Sequence, residues 1–258
     1  MKNFMTGFLL SLQFFTSFPI RRALPMSGKT VTAMFGAMPF MGFLMGLASV
    51  ALLFLNEHYA GFSPLFMAIL VVVFHIFMTG GLHLDGWIDL GDAYFSYRDK
   101  EKRLEILSDS RVGAFGAIHL VVLILLKVGV FYEIFLQSPA HLYCYFVFIP
   151  VFCRLAMLIY FNMSMNVKQS GLAAYFKKQV VPEHLWIFIL GYALIIVAAA
   201  FALKIYGLLI LLTGMLVLTW FYRRWTYIHF GGMTGDLLGA LYEGMELALW
   251  GIVLLSSI

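Results

Sequence analysis

Charge is what this sequence has least of. Asp, Glu, Lys and Arg make up 12% of its 258 residues, where a water-soluble domain carries about 25%. Cysteine is nearly absent too. Cys144 and Cys153 are the only two, nine positions apart in one apolar segment, about 13 Å along a helix and too far for a disulfide. They therefore carry no message about redox compartment. The strings HExxH, CxxC, Walker A and GxSxG do not occur. Zinc peptidase, P-loop and serine hydrolase mechanisms lose their sequence support with them. No internal repeat, low-complexity tract or interdomain linker interrupts the chain, so a single membrane domain over 1–258 is the economical reading.

What is present is apolar. Hydrophobic residues reach 62% and mean hydropathy is +0.93, which excludes a soluble globular fold and disorder alike. The apolar residues fall into blocks of about 17 to 25, the length a helix needs to cross a hydrocarbon core of roughly 30 Å. The sequence predicts an all-α, polytopic integral membrane bundle with about seven transmembrane helices at 31–55, 62–79, 112–136, 140–162, 185–203, 205–221 and 237–257. Residues 4–18 are too short to span and end at Pro19, before Arg21 and Arg22; they predict an interfacial or re-entrant helix. Lys2 followed by apolar residues resembles a signal peptide. Phe18, Pro19 and Arg21, however, replace the small-residue cleavage site, and no cleavage is expected.

Charge placement tests the threading independently. Short connections follow Leu55, Leu136 and Leu203, and alternate with long polar ones around 20–30, 80–111, 163–184 and 222–236. Fourteen Lys and Arg residues, from Lys2 and Arg21 to Arg224, fall on the long-loop side, Lys204 alone on the other, and Lys127 and Arg154 within spans. The positive-inside rule puts the long loops in the cytoplasm and the C-terminus outside. The net charge of +4 thus reports topology, and no nucleic-acid partner is expected. Gly42 and Gly46 form a GxxxG, better explained by packing inside the bundle than by a dimer contact. A homo-oligomer stays open.

Seven of the thirteen acids lie between 85 and 109. Asp99, Glu101 and Glu105 alternate with basic residues and read as a solvated segment. Asp85, Asp89 and Asp92 lie in a mostly apolar stretch at i, i+4 and i+7, on one helical face. Their mutual repulsion calls for a cation, and an all-oxygen donor set suits Mg²⁺, with Mn²⁺ as the alternative. Asp109, Ser110 and Arg111 add a carboxylate, a hydroxyl and a planar cation suited to phosphate oxygens. Gly231, Gly232, Thr234, Gly235 and Asp236 lead into the last helix, where free N–H groups favour an anion, although Thr234 or Asp236 also suits a simple N-cap. Asp236 and Glu243, on one face with Glu246, are candidates to complete a metal shell. Acids that hold a metal, joined to Arg and Gly phosphate clamps, describe phosphoryl or phosphodiester transfer. His83 fits a general base less well than an orienting hydrogen bond to a carboxylate. The other six histidines, His75 included, read as packing or interfacial residues.

With FFTSFPI at 14–20, GGLHLDGWIDLGDAYFS at 80–96, DSRVGAFG at 109–116, Arg154, and GGMTGDLLGALYEGMEL at 231–247, the chain resembles the adenosylcobinamide-GDP ribazoletransferase (cobalamin synthase) family along essentially its whole length. Trp87, Ile88 and Ser108 depart from the usual pattern. The resemblance implies the last step of cobalamin nucleotide-loop assembly. Adenosylcobinamide-GDP and α-ribazole, or its phosphate, would give adenosylcobalamin and GMP with Mg²⁺, on the cytoplasmic side of a prokaryote's cytoplasmic membrane. Two rivals come from other classes. A cation-coupled transporter would carry its acids along a midplane path and show inverted repeats. A CDP-alcohol phosphotransferase would follow its DG with an Ala-Arg pair, where Trp87-Ile88-Asp89 stands instead.

Overall fold

The computed structural model describes residues 2–256, without the side chain of Lys2. Among them there is no β-strand. The elements are α1 (Lys2–Phe15), α2 (Gly28–Gly36), α3 (Met38–Leu55) with a π-helical extension Asn56–Ala60, α4 (Pro64–Thr79), α5 (Leu82–Phe95), α6 (Lys100–Ile106), α7 (Ala114–Gln137), α8 (Leu142–Met163), α9 (Leu172–Gln179), α10 (Pro182–Ala202), α11 (Gly207–Phe230) and α12 (Gly235–Ser256). Six units are long and apolar enough to cross a membrane: Gly28–Ala60, α7, α8, α10, α11 and α12. α4 and α5, taken together as one bent unit, bring the number up to seven. Between α4 and α5 the chain bends by 97°, and α5 leaves along the end of the bundle. The expected polytopic all-α architecture is therefore present. α1, about 21 Å long at 1.5 Å per residue, is too short to span and packs on α2.

The bend is written as Gly80-Gly81. Both adopt left-handed backbone (φ 63° and 75°), closing α4 and opening α5, a conformation that a residue with a Cβ adopts only at a cost. The polar loops 16–27, 80–113, 164–181 and 231–234 gather at this end of the bundle, and the C-terminus of α12 points to the other.

α8 and α12 form the buried centre. α3 crosses α8 most intimately where Pro150 lacks an N–H, leaving the Phe146 carbonyl without its helical donor. Gly46 packs on that carbonyl, and Gly42 on the carbonyl of Pro150. A Cβ at either would come within 2.6 Å of backbone oxygen. The GxxxG is thus an internal helix contact. Cys144 and Cys153 are free thiols.

A buried ion network ties four helices together. Lys127 of α7 pairs with Glu243 and Glu246 of α12. His75 Nδ1 of α4 lies 2.9 Å from Glu246, and His75 Nε2 lies 3.0 Å from Ser49 Oγ of α3. His75 is therefore a network member, against the packing role expected for it. Removing one partner of a buried pair costs about 3–5 kcal/mol, so the network fixes how α12 sits among its neighbours.

Gly46→Val should lower the thermal midpoint in detergent sharply, since overpacking costs about 1–3 kcal/mol or more. Gly191→Ala, where a Cβ meets nothing within 4 Å, should leave it within a degree or two. Equal midpoints for the two variants would contradict the α3–α8 packing.

Candidate active site

The site is built by α5 crossing the first turns of α12. Gly86 lies against the backbone of Asp236, where a Cβ would come 2.3 Å from the Asp236 carbonyl oxygen, and Gly239 lies against His83. The glycine after Asp85 thus places Asp85 beside the start of the helix that carries Asp236. Thr234 caps α12, its Oγ accepting from the Leu237 N–H at 3.2 Å. The amides of Gly235 and Asp236 make no hydrogen bond to other described residues, as the first N–H groups of a helix are free to do.

Asp85 and Asp236 border a cavity of about 360 Å³ whose floor is apolar, with Phe15, Phe35, Met157 and Phe161, and whose mouth carries Lys168, Thr234 and Gly235. Asp89 is one turn further along α5 and half-buried. Burial, then the neighbouring carboxylates Asp85 and Asp236, push its carboxyl group up to about 7. Lys168, whose Nζ is 3.3 Å from Asp236, is the nearby cation that opposes this. An all-oxygen set with surplus negative charge fits a hard divalent cation, and Mg²⁺ commonly takes only one or two protein carboxylates beside water and phosphate.

Several expected site residues are engaged elsewhere. Asp92 accepts from the N–H groups of Gly113 (2.7 Å) and Gly116 (2.8 Å) with its two oxygens. It caps the N-terminus of α7, where a carboxylate is stabilised, and Gly113 and Gly116 are small because Asp92 fills their space. Of the expected Asp85, Asp89 and Asp92, the structure thus engages Asp92 with the amides of α7, and it brings Asp236 to the cavity beside Asp85. Glu243, about 10 Å along α12 from Asp236 at 1.5 Å per residue, belongs to Lys127. Among the described residues no three His, Cys, Asp or Glu side chains form a ready-made metal cage. Asp109 is held by Arg111 at 2.7 Å in an exposed loop, which lowers its carboxyl group to about 2. The Arg111 side chain is 87% exposed, and neither it nor Ser110 borders the cavity.

The Gly-rich turn also divides. Gly231 (φ 84°) closes α11, and Gly232 lies against the Met165 carbonyl, 2.7 Å from where its Cβ would be. Met233 N–H donates to Met165 O and Val167 N–H to Met233 O, so this turn anchors the 163–171 segment. Of this stretch Thr234, Gly235 and Asp236 reach the cavity, and Gly231 and Gly232 do not. His83 borders it as well, stacked on Tyr242 with ring centroids 4.4 Å apart. It makes no hydrogen bond to a carboxylate, and its Nε2 is buried without a partner among the described residues. Asp99 caps α6 and Lys102 pairs with Glu105 at 2.7 Å, bearing out the solvated reading of that segment. Trp87, one of the departures, stacks on His119 with ring centroids 4.2 Å apart and donates from Nε1 to the His119 carbonyl.

Two further residues bear on the site, neither with a role assigned from the sequence. Lys168 counted only toward topology. Arg154 is fully buried, donates to the carbonyl of Phe15 at 3.0 Å, and so holds the end of α1 against the cavity.

A profile of the cobalamin-5-phosphate synthase family matches residues 7–254. The chain belongs to this family. Similar relatives named adenosylcobinamide-GDP ribazoletransferase include one from a Geobacillus species, 36% identical over 97% of this chain and 95% of its own. One from Geobacillus kaustophilus is 35% identical over 98% and 97%, and one from Treponema denticola 33% over 95% and 96%. No solved structure matches. The family match spans α5, α12 and the cavity between them, so the described site lies wholly inside the shared region.

The raised Asp89 pKa gives a pH dependence. A carboxyl group whose folded pKa lies above its unfolded value loses stability as pH rises through the folded value. The metal-free protein should therefore lose thermal stability as pH rises from about 4 to about 7, and Mg²⁺ should restore it at pH 8. Asp89→Asn should flatten the profile. A flat wild-type profile would contradict the clustering of these carboxylates.

Proposed function

We propose that this protein transfers the adenosylcobinamide phosphate group of adenosylcobinamide-GDP to the hydroxyl of α-ribazole, or of its phosphate, releasing GMP. The observation that carries this reading is the Gly86–Asp236 crossing, which brings Asp85 and Asp236 to one cavity, with Asp89 one turn further along α5 within their electrostatic reach, in a chain of this family. The names of the relatives supply the corrinoid and the ribazole.

In the transfer, the ribazole oxygen forms a bond to the phosphorus on the cobinamide side. The bond from that phosphorus to the bridging oxygen breaks, the electron pair leaves with GMP, and the hydroxyl proton passes to solvent. Asp85, Asp89 and Asp236 would hold Mg²⁺, which supplies charge neutralisation of the diphosphate and stabilises the leaving phosphate. The free amides of Gly235 and Asp236 offer donors to phosphate oxygens at a helix N-terminus. The apolar floor excludes water, the competing nucleophile. His83 packs on Tyr242, an arrangement that suits a positioning role more than a base. No described nucleophile is activated beside a base at the cavity, so direct in-line transfer with inversion at phosphorus is the reading adopted. The positive-inside pattern of the loops supports a cytoplasmic site in a prokaryote's cytoplasmic membrane.

Purified protein in detergent, given adenosylcobinamide-GDP, α-ribazole and Mg²⁺, should release GMP and form adenosylcobalamin. Asp85→Asn should cut the rate at least a hundredfold while the protein stays folded. Absence of nucleotide release would favour a transporter, and CMP release from a CDP-alcohol a different transferase.

A further inference from the structure

A diphosphate substrate needs a cation inside the cavity, and among the Lys and Arg residues of the described chain only Lys168 borders it. Arg111 stands outside, bound to Asp109. Lys168 is carried by the segment that the Gly-rich turn anchors through Met165 and Val167, so its backbone is fixed relative to the first turn of α12. Its ammonium rests on two long contacts, 3.2 Å to the Leu107 carbonyl and 3.3 Å to Asp236 Oδ2. The side chain is 29% exposed. Those contacts are weak enough to exchange, and one of them is to a carboxylate placed among the metal-holding candidates.

We propose that Lys168 is the phosphate-binding cation of this site, resting on Asp236 before substrate binds and passing to the substrate's diphosphate when a divalent cation takes over that carboxylate. The inference rests on the transfer reaction proposed above. It adds the residue that recognises the diphosphate and an order of events, in which metal and ammonium compete for Asp236 before they act together on the phosphates. A Lys suits this exchange because its ammonium is a point charge on a flexible stem, able to change partners by rotation.

The test uses the full-length protein in detergent, with Mn²⁺ binding and Mg²⁺-pyrophosphate binding measured separately by calorimetry. Lys168→Met should weaken pyrophosphate binding about tenfold or more, the loss expected for a hydrogen bond to a charged group. Its Mn²⁺ affinity should equal or exceed that of wild type, because a competitor for Asp236 has gone. Lys168→Arg should recover pyrophosphate binding to within about threefold. A purely structural role would weaken both ligands together. Should Lys168→Met fail to fold, Lys168→Gln, which keeps a donor for the Leu107 carbonyl, is read in the same way. Pyrophosphate affinity within twofold of wild type in the neutral variant overturns the proposal. So does joint loss of Mn²⁺ and pyrophosphate in a folded protein, or failure of Arg to restore binding. Release of GMP by the wild type tests the transfer reaction itself, so the two readings fail separately.

Discussion

The site depends on one close approach, the backbone of α5 at Gly86 against the backbone of α12 at Asp236. No side chain fits between them. The contact is possible because Gly80 and Gly81 turn the chain through 97° as α4 ends, which sends α5 across the opening of α12. Once α5 lies there, Asp85 on one helix and Asp236 on the other border one cavity, and Asp89 lies one turn further along α5. Burial, and then like charges nearby, oppose that arrangement, as the upward shift of Asp89 records. The fold must therefore supply the stability that the site subtracts.

Further along α12 the bundle is pinned by buried ion pairs. Glu243 and Glu246 are locked to Lys127 and His75 in the apolar interior, where leaving any of them unpaired is expensive. Arg154 on α8 holds the end of α1 and lies over the Tyr242 ring, 4.8 Å from its centroid. Tyr242 in turn stacks on His83. One face of α12 thus carries a sequence of tasks: Thr234 caps, Asp236 faces the cavity, Tyr242 supports α5, and Glu243 and Glu246 anchor the bundle. A second, aromatic cavity of about 570 Å³, with Trp87, Phe221 and Trp225, lies on the other side of α5 and α12 and has no Asp, Glu, Lys or Arg in its walls.

The spans were legible because the bilayer demands long apolar helices and the positive charges mark the loops. The grouping of acids was legible as a helical period, while Gly80-Gly81 marked only the end of a span and not a bend of 97°. Which acid does what was not. Asp85, Asp89 and Asp92 share a face by spacing, yet spacing does not show that α7 begins beneath Asp92 and offers it two amides. Arg111 suits phosphate chemically, but its neighbour Asp109 claims it within the same loop. Lys127 was visible only as a charge within a span and His75 read as packing; pairing them with Glu243 and Glu246 required knowing which helices are neighbours. Lys168 carried no local signal, because its meaning comes from the pairing of Val167 with Met233.

The central claim is that α5 and α12 together make a divalent-cation site from Asp85, Asp89 and Asp236, with Asp92 structural. Electron paramagnetic resonance of Mn²⁺ bound to the full-length protein tests this most directly. Asp85→Asn and Asp236→Asn should each weaken binding by about tenfold or more, the loss expected when a charged ligand is removed. Asp92→Asn should bind Mn²⁺ nearly as wild type does while melting at a lower temperature. Unchanged Mn²⁺ affinity in both Asp85→Asn and Asp236→Asn, or a loss confined to Asp92→Asn, would contradict the account.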